Sequence, residues 1–253
     1  AVATVERRIA GLPPHVFAIA LCALAAMVKA PAAAGVVFLA ISRARRQPTF
    51  RAGAARLTVS ALVAGAVVAA VSLATGVGWS WLNPEALTSP DLATTPFTPV
   101  TSLTYTTAWV AHAFGIAIPI GKIMAALQPA GMVVAGTFAL ALLWRQHRIG
   151  LTRALALTLL AVVLASPVTW PWYLSWGVVL LAAAMPARRV LGPIVLATIP
   201  LLLIQPDGIP HPFTRAATVG FAIGSLALLL YASYWSYRHL VKSPPPAPVG
   251  STA

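Results

Sequence analysis

Four short stretches of this 253-residue sequence carry residue types that could do chemistry. The first is Lys29-Ala30-Pro31, whose lysine is the only charged residue between positions 16 and 42. Pro31 lacks an N–H and crowds the preceding turn, so it breaks or kinks a helix there. A charge inside an apolar segment is costly and by default marks a site. Its natural partner is an anion such as a lipid phosphate; the plain alternative is a lysine reaching back to the membrane interface. The second stretch is Ser166-Pro167-Val168-Thr169-Trp170-Pro171-Trp172-Tyr173, followed by Trp176. Two prolines four apart stop a helix and set an extended turn. Trp170, Trp172 and Tyr173 could stack on a sugar ring, each offering a flat apolar face and a donor. They could equally form an interfacial aromatic belt.

The third stretch is the long connection 78–122, opening Gly78-Trp79-Ser80-Trp81-Leu82-Asn83-Pro84-Glu85. A connection of that length in a compact bundle is more often functional than passive, although Trp79 and Trp81 also read as interface anchors. It runs through a Thr/Pro-rich stretch and ends in an apolar piece, 108–121, expected to lie along the membrane surface. The fourth is Gln205-Pro206-Asp207-Gly208-Ile209-Pro210-His211-Pro212. Pro-Asp-Gly is turn chemistry, and His211 is a candidate second ligand for a phosphate or hydroxyl. His112 reads as a surface histidine.

These residues must be positioned by helices. Apolar runs at 16–28, 31–42, 57–77, 123–144, 152–166, 172–186, 190–205 and 214–237 are long, rich in Ala and Leu, and lack period-two alternation. The expected fold is all-α: a polytopic transmembrane bundle of about eight helical segments in one domain, 1–242, with a disordered Pro-rich tail, 243–253. Composition agrees. Apolar residues make up 59% of the chain, charged residues 8%, and mean hydropathy is +0.87. A soluble domain carries about 25% charged residues, so lipid is the expected solvent.

The +13 net charge reads as membrane topology and not as nucleic-acid binding. All but three of the 17 basic residues (Lys29, Lys122 and Arg215) fall on one side in a single topology. By the positive-inside rule that side is the cytoplasm, which leaves 78–122 outside. This arrangement requires 16–42 and 152–186 to be short hairpins, each entering and leaving on the cytoplasmic side. Arms of about 20 Å fall short of a hydrocarbon core about 30 Å thick, so their tips are expected inside the bundle. A single kinked helix across 16–42 is the alternative.

The remaining chemistry is sparse. Cys22 stands alone, so no internal disulfide is possible. The four acidic residues are Glu6, Glu85, Asp91 and Asp207. No metal-ligand cluster, phosphate-cradling glycine loop or nucleophile elbow occurs in the sequence, so it calls for no cofactor or metal and gives no support to ATP-driven transport or triad hydrolysis.

Met27-Val28-Lys29-Ala30-Pro31, Trp81-Leu82-Asn83 and the run from Ser166 to Trp176 together resemble the polyprenol-phosphomannose-dependent α-1,6-mannosyltransferases of mycobacteria and corynebacteria, within the multispanning GT-C glycosyltransferases. The likeness follows order and spacing over most of the chain. It implies a helical bundle with its active site at the outer membrane face. It also implies transfer of a hexose, mannose in that family, from a polyprenyl-phosphate donor to an α-1,6-mannan or lipomannan-type glycolipid acceptor. Lys29 and His211 would then meet the donor phosphate, and Trp81, Trp170, Trp172 and Tyr173 the sugar and lipid. Such enzymes place a catalytic carboxylate in the first outer loop, which would fall before Ala1. The chain, which does not begin with Met, is therefore expected to be a C-terminal part that is inactive alone, with its catalytic base unassigned. The rival class is a secondary transporter or flippase of a lipid-linked substrate, which broken helices also suit. It should show an inverted repeat, and none is evident. A non-catalytic lipid-binding subunit is a second rival.

Overall fold

A backbone surrounded by apolar side chains has only its own groups to bond to, which favours closed helices. The computed structural model describes residues 13–76, 78–80, 98–166, 171–184 and the isolated positions 220, 223, 224 and 227. Among these residues every regular element is helical. The α-helices are α1 Pro14–Val28, α2 Ala33–Arg45, α3 Phe50–Ala74, α4 Pro99–Ala113, α5 Ile120–Ile149, α6 Leu151–Ala165 and α7 Ser175–Ala184. A 3-10 turn, Ala30–Ala32, joins α1 to α2, and a second, Pro171–Leu174, leads into α7. The expected helix 190–205, most of 214–237 and the Pro-rich tail lie outside the described residues.

Two helices, α3 and α5, are long and apolar enough to cross a membrane. Their 25 and 30 residues correspond to about 38 and 45 Å at 1.5 Å per residue. Only 11% of the apolar window of either is buried within the protein. Leu62 on α3 and Val133 and Val134 on α5 are about two-thirds exposed. A core helix of a soluble protein would be covered; these faces lack protein cover among the described residues, and an apolar solvent suits them.

Two boundaries differ from the sequence expectation. Helix α3 begins at Phe50, because the Thr49 hydroxyl accepts from the Ala52 N–H as an N-cap. Arg51 and Arg56 are therefore in its first two turns and not in a connection. Likewise, the Thr/Pro-rich part of 78–122 is not irregular throughout. Thr98 and Thr101 form a reciprocal capping box that starts α4, with Thr98 Oγ1 accepting from Thr101 N at 3.1 Å and Thr101 Oγ1 from Thr98 N at 3.2 Å. Thr98, Thr101, Ser102 and Thr104 are all buried. Hydropathy misses such a start because its hydroxyls bond to backbone. The apolar piece 108–121 divides accordingly: its first residues finish α4 and its last ones begin α5.

Short hairpins organise the rest. A Cβ built on Gly35 would lie 2.9 Å from Cys22 Sγ. A straight helix would hold those residues about 20 Å apart, so α2 folds back on α1 around Lys29. The kinked single helix is excluded. In the same way a Cβ on Gly177 would meet Leu160 Cγ and the Ala156 carbonyl, and the Arg153 guanidinium donates to the Ala184 carbonyl at 3.4 Å. Helices α6 and α7 are thus antiparallel. Gly150 makes the sharp turn between α5 and α6 at φ 88°, backbone that a side chain would strain.

One core unites the two hairpins. Phe38, Leu142 and Ala154, from α2, α5 and α6, are buried together, with Ala34, Phe138 and Leu155 packed around them. At one end Arg45 ties the layers, donating to the Trp144 carbonyl at 2.8 Å with its guanidinium 4.5 Å from the Trp144 ring centre. The α2–α3 and α5–α6 turns therefore lie at the same end. At the other end α6 finishes against the middle of α5. A Cβ on Gly131 would contact Val100 Cγ2 at 2.6 Å and the Ala165 carbonyl at 3.7 Å. Residues 120–130 of α5 continue past that level by on the order of 15 Å, paired with α4 through Thr104 and Met124.

Oxidative cross-linking tests the first hairpin. The Cys22 Cβ lies 3.4 Å from an ideal Cβ on Gly35, close to the usual disulfide spacing of about 3.8 Å. Gly35→Cys should bond to native Cys22 within one chain, with a mass loss of two hydrogens. Persistent free thiols under oxidant would mean that the helices do not fold back.

Candidate functional site

The two sequence motifs meet at the hairpin tips. Helix α1 ends because Lys29 adopts an extended backbone, φ −149° and ψ 115°. Its N–H still closes on the Ala25 carbonyl at 2.9 Å, and its carbonyl accepts from Ala32 N at 3.0 Å to begin the 3-10 turn. Pro31 has no N–H to continue an α-helix, so the chain changes direction here. That turn pushes the Lys29 side chain off the end of α1.

Tyr173 receives it. The Lys29 ammonium donates to the Tyr173 hydroxyl at 3.2 Å across 144 positions of sequence. It is 4.9 Å from the ring centre, so it sits at the hydroxyl end of the ring and not over the face. An ammonium has three N–H donors; among the described residues only one is engaged, leaving two for an anion. Tyr173 is held in turn. Its ring stacks on Trp176 with centroids 4.7 Å apart and planes at 29°, and meets Trp172 edge-on at 6.2 Å and 89°. Below lie buried Val163 and Leu174, with Leu160 and Val178 packed against them. The Ser175 hydroxyl donates to the Trp172 carbonyl at 2.5 Å and fixes the turn.

Trp172 is 58% exposed and Lys29 is exposed. The site is therefore an open junction: an ammonium, a phenol and an indole face turned outward on a rigid apolar floor. Such a group can hold an anion beside a flat, hydroxyl-rich molecule. Because α6 ends at the level of Gly131, the junction sits partway along α5, and residues 120–130 continue beyond it.

The expected set divides. Lys29, Trp172 and Tyr173 come together; Trp81, Trp170 and His211 lie outside the described residues. Trp79 is 54% exposed, and His112 is exposed on α4. Glu6, Glu85, Asp91 and Asp207 also lie outside the described residues, so no carboxylate can be placed near Lys29. Among the described residues no group of three His, Cys, Asp or Glu side chains gathers in metal-binding fashion. Sequence reasoning did not single out Trp176 as the partner of Tyr173. The signal was there, since residues three apart share a helix face. It also missed a groove of about 680 Å³ between α4 and α5, lined by Tyr105, Met124, Gln128 and Met132.

Fold and junction define a class: an all-helical domain with membrane-length apolar helices and a lysine–aromatic site at the tips of two short hairpins. The chain belongs to the MptB C-terminal domain family, whose pattern matches residues 100–234. Alpha-(1->6)-mannopyranosyltransferase A of Mycobacterium tuberculosis is 31% identical over 216 residues, which cover 77% of this chain and 39% of that protein. Alpha-(1->6)-mannopyranosyltransferase B of Corynebacterium glutamicum is 26% identical over 233 residues, covering 86% of this chain and 37% of that protein. The chain thus spans about two fifths of the length of these relatives. No solved structure matches it.

The floor of the site gives a stability test. Gly177→Val should force α7 away from Leu160 and the Ala156 carbonyl and cost about 1–3 kcal/mol, as overpacking does. Gly136→Ala, where a Cβ meets nothing within 4 Å, should be neutral or slightly stabilising. Thermal unfolding of the purified variants distinguishes them; equal melting would mean that α6 and α7 are not in close contact.

Proposed function

We propose that the Lys29–Tyr173 junction is the donor site of a membrane glycosyltransferase. The enzyme moves a hexose, mannose by analogy with the relatives' names, from a polyprenyl-phosphate carrier to an α-1,6-mannan or lipomannan-type acceptor. The observation that carries this reading is the 3.2 Å contact between a lysine and a tyrosine from two separate broken-helix motifs, with the tyrosine stacked on Trp176. An ammonium beside sugar-stacking aromatics suits a phosphate joined to a sugar. Membership of the MptB C-terminal domain family and the mannosyltransferase names of the relatives support the reaction class.

In this reading the chain crosses the plasma membrane several times. Its arginine-rich turns face the cytoplasm, and the hairpin tips open to the outer side. The acceptor 6-hydroxyl oxygen attacks the anomeric carbon as the bond from that carbon to the phosphate oxygen breaks. The polyprenyl phosphate leaves with the electron pair, and the hydroxyl proton passes to a base that no described residue supplies. Lys29 stabilises the charge that develops on the leaving phosphate, the kind of term that is often the largest in catalysis. Tyr173 orients Lys29, while Trp172 and Tyr173 position the sugar. Trp81, Trp170 and His211 complete the proposed donor site.

The test is transfer from polyprenyl-phosphate mannose by the intact membrane protein. Lys29→Ala should lower kcat on the order of 100-fold or more, and Tyr173→Phe about tenfold or more. The two losses should be less than multiplicative, because each removes the same contact. Near-normal transfer by Lys29→Ala would remove the lysine from the mechanism.

A further inference from the structure

Among the described residues, the end opposite the junction carries exposed arginines that the transfer reaction does not use. We propose that Arg46, Arg51 and Arg148, with Phe50 and Trp144, form a docking face for the headgroups of anionic phospholipids. Arg46 follows α2, Arg51 lies in the first turn of α3 and Arg148 in the last turn of α5. The contact of Arg45 with Trp144 brings these three elements to one place.

All three arginines are exposed. Among the described residues none offers their guanidinium groups a hydrogen-bond acceptor or a carboxylate. A guanidinium presents a rigid fork of donors matched to phosphate oxygens, so the complementary partner is a phosphodiester. The aromatic residues fix the surface it belongs to. Phe50 is 92% exposed and Trp144 71% exposed, beside the arginines. Phe50 and the face of Trp144 that Arg45 leaves open, next to these exposed cations, suit the boundary of a bilayer, where rings enter the acyl layer and cations meet headgroups. A free phosphate would use the cations and leave the rings in water. The N-terminus of α3, capped by Thr49, adds positive potential at the same point.

The face is one unit because Arg45 is already engaged. Its stacking on Trp144 and its bond to the Trp144 carbonyl join the α2–α3 turn to α5. A lipid held by Arg46, Arg51 and Arg148 therefore bridges both hairpin layers without breaking any contact.

Native mass spectrometry of the intact, detergent-purified protein tests this with dioleoylphosphatidylglycerol, dioleoylphosphatidylcholine and inorganic phosphate as probes. Phosphatidylglycerol should be retained in preference to the other two. Each arginine contributes about a fivefold factor at an anionic surface, so R46Q/R51Q/R148Q should weaken retention on the order of 100-fold. Lys122→Gln, which removes a cation just inside α5 at the far end, should leave it unchanged. Should the triple variant not fold, raising salt on the native protein gives the second measure, because exposed charges are screened; retention should fall steeply. Equal retention of both lipids, binding of phosphate alone, or insensitivity to salt would each overturn the proposal. The readout is lipid retention, so it stands or falls separately from glycosyl transfer.

Discussion

An apolar helix that must stop partway along its neighbours leaves its end groups without partners, and the structure depends on how that is met. Lys29 takes an extended conformation at the end of α1, and a 3-10 turn closes the Lys29 carbonyl onto Ala32. The second hairpin uses a 3-10 turn, Pro171–Leu174, and a serine hydroxyl on the Trp172 carbonyl. Proline is central at both tips because it removes a donor that would otherwise continue the helix. The breaks that satisfy the backbone are also the places where polar side chains leave the helix cylinders. Site and fold thus share one cause.

Small residues make the hairpins tight enough to register. Gly35 faces Cys22, Gly131 faces Val100 and Ala165, and Gly177 faces Leu160 and Ala156. Each lets two helices approach more closely than larger side chains allow, which in an apolar solvent is a main source of association. The register so fixed sets the two tips level with one another. A slip of one helical turn, about 5.4 Å, would separate the Lys29 ammonium from the Tyr173 hydroxyl. The core at Phe38, Leu142 and Ala154 and the Arg45–Trp144 clasp hold the far end in the same register.

The molecule has two chemically distinct ends. One bears exposed arginines beside aromatic rings; the other bears the Lys29 ammonium with its aromatic cluster, at a level past which the start of α5 extends. Helices α2 and α6 run between them in opposite directions, so both motifs reach the same end although most of the chain separates them.

Composition and pattern alone determined the helical class, the breaks at Lys29-Ala30-Pro31 and at the Pro171 turn, and the residue types at the site. These are local properties: propensity, proline geometry and the cost of a charge in an apolar run. The starts of α3 and α4 were not legible, because Thr49 and the Thr98–Thr101 pair act by bonding to backbone and not through hydropathy. Which aromatic receives Lys29 was also beyond the sequence. Trp170, Trp172, Tyr173 and Trp176 are all suitable by type. The choice of Tyr173 for the ammonium and Trp176 for the stack follows from the register of α6 on α7 and of α2 on α6. The first is set where Gly177 meets Leu160 and the Ala156 carbonyl, the second where Gly35 meets Leu155 and Phe38 shares a core with Ala154, across more than 100 positions of sequence; only the tertiary structure holds the second.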